Sequence, residues 1–63
     1  MTAVRRILIV EDHKPLRSLL SFLLSNAGYE TFETADAMSA LDEASRQQPD
    51  LVLLDWQLPD MEG

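Results

Sequence analysis

Cysteine is absent from this sequence of 63 residues, so neither a disulfide nor a thiolate-bound metal reinforces the fold. That absence is compatible with a reducing cytosol, and a cytoplasmic location is expected. Basic residues are scarce, with five Lys and Arg against eleven Asp and Glu, for a formal charge of −6. Such a surface lacks the basic face that nucleic acid requires and disfavours anionic lipid. No apolar run approaches the roughly 20 residues of a membrane span. Arg5-Arg6 precedes an apolar run as a signal peptide would, but the run spans only residues 7–10 before meeting Glu11-Asp12, which removes that reading. Only two glycines are present, and none falls between Glu11 and Arg17, which argues against a Rossmann-type pyrophosphate loop. A chain of this length makes one small domain, taken as residues 1–63, and buries only about 60% of its unfolded surface. No internal repeat, low-complexity tract or linker interrupts it.

The stretch from Leu51 to Asp60 organises what is present. Leu51, Val52, Leu53 and Leu54 form an uninterrupted apolar run that reads as a strand buried on both faces. It stops at Asp55, and Pro59 follows soon after. Asp55 is therefore expected where a strand gives way to a loop, the end of an open parallel sheet at which ligands bind. A carboxylate placed against a hydrophobic strand is costly unless something pairs with it.

Ile7-Leu8-Ile9-Val10 is a second apolar run of strand length, and it too ends in acid, at Glu11-Asp12. A helix then opens at Lys14-Pro15, with Pro15 expected at its first position. Leu16, Leu19, Leu20, Leu23, Leu24 and Ala27 share one stripe at helical spacing, and Gly28 supplies the left-handed cap. Phe22 lies off that stripe and reads as an exposed aromatic or a partner contact. Residues 29–34 are polar at half their positions, which suits an edge strand. Asp36 can cap a second helix with Ala37, Ala40, Leu41 and Ala44 on a small-residue face, running to about Gln48 before Pro49-Asp50 ends it.

The order is β-α-β-α-β. The spacings suit right-handed crossovers. The two fully apolar strands should be neighbours and the polar one should flank the first, for a spatial order of 2-1-3. The winding direction reverses between the first and third strands, and Glu11, Asp12 and Asp55 are all expected at the carboxyl ends there.

Three like charges in one crevice take up a proton or a cation. Hard oxygen donors in a small open cluster suit Mg²⁺. Asp55 is then placed as a nucleophile able to form an acyl phosphate, with the metal offsetting charge on the transferring group. Simpler readings stay open: strand-end acids are often plain loop residues, and Asp12 is also suited to capping the first helix. A haloacid-dehalogenase-like phosphatase would want a second Asp two residues after Asp55, where this chain has Gln57. His13 reads as an exposed loop residue or a support for the metal, and Trp56 as a cover for the strand end or a partner contact.

Taken together, residues 7–12, Pro15-Leu16-Arg17, Asn26-Ala27-Gly28-Tyr29 and residues 49–63 resemble a response-regulator receiver domain, with the OmpR-type class of two-component transcriptional regulators most similar. The resemblance implies a flavodoxin-like, doubly wound α/β sheet, here truncated to β-α-β-α-β. It implies that Asp55 is the phospho-acceptor, charged from a sensor histidine kinase or phosphotransfer protein. Asp12 would be a direct Mg²⁺ ligand, Glu11 would act mainly through water, and Gln57 would contribute its backbone carbonyl. Such a chain is a phospho-acceptor that assists its own modification, not a turnover enzyme. Where Glu11 stands the family often has Asp, and Glu is a common variant.

The resemblance covers the N-terminal half of a receiver. The family's later strands and helices, its phosphate-sensing Ser/Thr and its phosphate-binding Lys are absent from these residues; a fragment of a longer protein is expected over a naturally short or designed half-domain. Without that Lys, the 63 residues alone are expected to take up phosphate slowly or not at all. The alternative is a phosphorylation-incompetent interaction module. A third strand left at the sheet edge would expose parts of residues 51–54 and of the leucine stripe, leaving self-association through that strand open.

Overall fold

A computed structural model of the chain describes residues 5–54. Five elements alternate: β1 (Arg6–Val10), α1 (Lys14–Asn26), β2 (Glu30–Thr34), α2 (Ala37–Gln47) and β3 (Leu51–Leu54). The strands form one parallel sheet in the order β2-β1-β3, the order read from the sequence.

β1 is central because its residues after Arg6 are all apolar and mostly β-branched, so both faces can be covered. Ile7, Leu8, Ile9 and Val10 are all buried. Side chains alternate along a strand, so Leu8 and Val10 share one face and Ile7 and Ile9 the other. On the first face, Leu8 and Val10 pack with Ala40 of α2, and Phe32, Ala37 and Ala44 close around them. On the other, α1 crosses β2 through polar contacts: the hydroxyls of Ser21 and Thr31 are 2.8 Å apart, and Arg17 faces Glu33 at 3.6 Å. Small alanines let α2 approach closely, whereas α1 meets a strand whose facing residues are Thr31 and Glu33.

The ends of each helix follow local chemistry. Asp36 caps α2 by accepting from the Ser39 N–H at 2.7 Å. That bond, with help from the Ser39 side chain, holds the Asp36 carboxyl below its ordinary value. At the end of α1, Tyr29 N–H donates to the Leu24 carbonyl and Gly28 N–H to that of Ser25, a paired closure that needs a left-handed residue. Gly28 supplies it, with φ of +102°. The start of α1 is one residue earlier than expected. The helix begins at Lys14, which puts Pro15 second, where its missing N–H is still one of the unpaired first-turn donors.

Two apolar features are less covered than their sequence pattern implies. β3 is not buried on both faces: Leu51, Val52 and Leu54 are 45%, 44% and 46% exposed. Its neighbour among the described residues is β1 alone, so among them its other edge is unpaired, as expected for a third strand at the sheet edge. The α1 stripe is also partly open, with Leu19 and Leu23 about half exposed. A stripe this wide needs cover on both flanks, and among the described residues α1 packs over β1 and β2. Leu16 and Leu20 therefore share an open groove with Ile9 and Leu53, while Leu41 and Ala44 share another with Val52 and Leu54. Phe22 is exposed at 62%, off the stripe as expected.

The register of β3 is pinned at its start. The Asp50 carboxylate accepts from the backbone N–H of both Arg5 and Arg6 at 3.0 Å, and the Asp50 N–H donates to the Arg6 carbonyl at 2.8 Å. The N–H of Arg5 and that of Arg6 hold the Asp50 carboxyl below its ordinary value. This clasp sets Ile7 against Leu51 and carries the pairing to Val10 against Leu54. Among the described residues, no helix is long and apolar enough to cross a membrane.

Candidate functional site

The site lies where β1 and β3 end side by side. Val10 pairs with Leu54, so the next residues in the two strands' sequence are Glu11 and Asp55. Asp55, Trp56 and Gln57 lie outside the described residues. Glu11 and Asp12 are described, and adjacent though they are, their settings differ.

Glu11 is buried at 5% exposure. Its N–H donates to the Thr34 carbonyl at 3.0 Å, which extends the ladder to β2 by one residue beyond β1. Its carboxylate Oε2 accepts from the His13 N–H at 3.2 Å, inside the loop that leads to α1. Asp12 is exposed. The capping alternative for Asp12 does not hold, because the cap position of α1 is His13, whose own side chain makes no cap bond. It is Glu11 whose carboxylate reaches forward into the loop and accepts from the His13 N–H, and the exposed acid stays outside that bond. His13 is itself exposed, in keeping with the loop reading.

Arg17 completes the surroundings, and nothing in the sequence reading gave it a role. Its Nη1 donates to the Glu11 carbonyl at 2.7 Å. The signal available in the sequence was a cation about one helical turn past an acidic loop, a pattern too common to single out.

Two carboxylates at the end of a central strand offer hard oxygen donors, the chemistry that Mg²⁺ selects, so the residues present fit that ion. Among the described residues no three acidic or histidine side chains form a metal-binding group. The third acid of the expected cluster, Asp55, and the carbonyl of Gln57 fall in the stretch that is not described.

The sequence model of the response regulator receiver domain matches residues 7–63. Among characterised proteins, Sporulation initiation phosphotransferase F of Bacillus subtilis is 45% identical over 58 residues, covering 92% of this chain and 47% of its own. The phosphate regulon transcriptional regulatory protein PhoB of Escherichia coli is 44% identical over 59 residues, covering 94% of this chain and 26% of its own. Polar-differentiation response regulator DivK of Brucella anthropi is 41% identical over 59 residues, with coverage of 94% and 48%. The chain thus spans from about a quarter to about half the length of these relatives.

Proposed function

Because this chain belongs to the response regulator receiver domain family, we propose that Asp55 accepts a phosphoryl group from the phosphohistidine of a sensor histidine kinase or phosphotransfer protein. The observation that carries this reading is the register of β3 on β1: Val10 against Leu54 makes Glu11-Asp12 and Asp55 the continuations of neighbouring strands. A carboxylate oxygen of Asp55 attacks phosphorus in line, the P–N bond breaks, and its electron pair returns to the imidazole. The product is an acyl phosphate retained on the chain, so the domain is a phospho-acceptor and not a turnover enzyme.

Asp12, exposed, is suited to direct contact with a bound ion, and Glu11, buried and bonded to the loop, to an indirect role. Asp55 and the Gln57 carbonyl would complete the set. Mg²⁺ held there would neutralise charge on the phosphoryl oxygens. Glu11 and Asp12 themselves contribute a preorganised anionic pair whose repulsion a cation relieves.

The test is labelling of the protein encoded by the complete gene with a small phosphodonor such as acetyl phosphate, followed by intact mass. One phosphoryl group is expected, absent from Asp55→Asn. Asp12→Asn should slow labelling at least about tenfold, as for loss of a metal-site residue. Mg²⁺ binding without any labelling would instead favour an interaction module that does not accept phosphate.

A further inference from the structure

Arg17 is the fourth residue of α1, and its side chain is only 16% exposed. Its guanidinium meets two partners in two directions: Nη1 donates to the Glu11 carbonyl at 2.7 Å, and Nε stands 3.6 Å from the Glu33 carboxylate on β2. A guanidinium is a rigid planar fork, so two such partners fix its plane in a way that a single ammonium does not. The bond to the carbonyl is short and charge-assisted. Glu33 offsets the positive charge, which otherwise would be set beside two acids that are to receive a cation.

The consequence falls on the acidic pair. The Glu11 N–H is held by Thr34 and its carbonyl by Arg17, so both backbone groups of Glu11 are tied to the folded body. The peptide plane that joins Glu11 to Asp12 then has its oxygen directed at Arg17. That plane sets the direction in which the chain leaves for Asp12, and hence where the Asp12 carboxylate starts. A largely covered cation with two anchors, bonded to the carbonyl of a residue that is itself buried, holds this peptide in one orientation.

We infer that Arg17 is a positioning residue for the metal site: by clamping the Glu11 carbonyl, with Glu33 as its counter-anchor, it orients the Glu11–Asp12 peptide for a divalent cation. The inference rests on the metal site of the proposed function. Outer residues that orient metal ligands typically change affinity by about 10- to 100-fold when lost.

The experiment is calorimetric titration of Mg²⁺ alone into the protein from the complete gene, as wild type, Arg17→Met and Arg17→Lys. Thermal unfolding without Mg²⁺ is measured in parallel. Arg17→Met, which keeps the aliphatic stem, should bind Mg²⁺ at least about tenfold more weakly, and Arg17→Lys, which keeps the charge but not the planar fork, should lose less affinity than Arg17→Met. A residue that merely supports the fold would lower the metal-free unfolding temperature and leave the affinity of the folded protein unchanged. Affinity within twofold of wild type in folded Arg17→Met overturns the inference while leaving the proposed function standing. Should Arg17→Met fail to fold, the same criterion applies to Arg17→Lys, and unfolding of both would make Arg17 a fold residue and also overturn it. Wild type that binds no Mg²⁺ would instead sink the metal site itself.

Discussion

Leu8→Ala tests the foundation on which the acidic pair stands. Leu8 is fully buried in the central strand, in register with Phe32 on one side and Val52 on the other. Truncation removes three carbon groups at about 0.8 kcal/mol each, or about 2.4 kcal/mol in transfer energy. Its neighbours Val10, Ala40 and Phe32 relax only partly, and the cavity cost brings such changes to about 2–5 kcal/mol. The open groove alongside, which Leu8 shares with Leu41 and Val52, gives those neighbours room to settle. The expected loss is therefore about 2–3.5 kcal/mol, the lower half of that range. Domain stability is about 5–15 kcal/mol, so the change is large. Urea unfolding at constant temperature reads it as a shift of midpoint with unchanged slope. Phe22→Ala, at an exposed position of α1, should stay within about 0.5 kcal/mol of wild type. Equal losses for the two variants would refute the assignment of β1 as the buried strand, and with it the rigid base of Glu11 and Asp12.

Two further outcomes follow from the edges of the sheet. The Asp50 carboxyl is held below its ordinary 3.8 by the N–H groups of Arg5 and Arg6, so its stabilising effect is complete above 3.8 and is lost as pH falls through the lower folded value. Asp50→Asn should show a smaller fall in unfolding temperature below pH 3.8 than wild type, and matching pH profiles would count against the clasp. A polypeptide limited to these 63 residues should associate in sedimentation, or be partly unfolded, because β3 presents Leu51, Val52 and Leu54 half exposed at an open edge. A single monomeric species with a cooperative thermal transition would show that this edge is self-sufficient.

Much of the architecture is set by patterns that act locally. Apolar, β-branched residues before Glu11 demand a strand with cover on both faces, and Gly28 and Asp36 mark helix ends through backbone conformation and one side-chain bond. The polarity of β2 against the apolar runs of β1 and β3 then points to 2-1-3 as the strand order, and that order makes Glu11, Asp12 and Asp55 continuations of adjacent strands. Burial is different, because it depends on what lies across the sheet. Among the described residues, the same kind of apolar run is fully buried in β1, flanked on both sides, and about half exposed at Leu51, Val52 and Leu54 of β3, flanked on one. The division between Glu11 and Asp12 was likewise decided by tertiary contacts: the backbone of Glu11 is tied to β2 through the Thr34 carbonyl and to α1 through Arg17, and Glu11 is buried where Asp12 is exposed. Arg17 is the plainest case, since its bond to the Glu11 carbonyl joins a helix to the end of a strand, and its pairing with Glu33 joins that helix to a second strand. Periodicity along a chain reports which face a residue occupies, but only the packed elements determine which groups a partly buried guanidinium such as that of Arg17 meets.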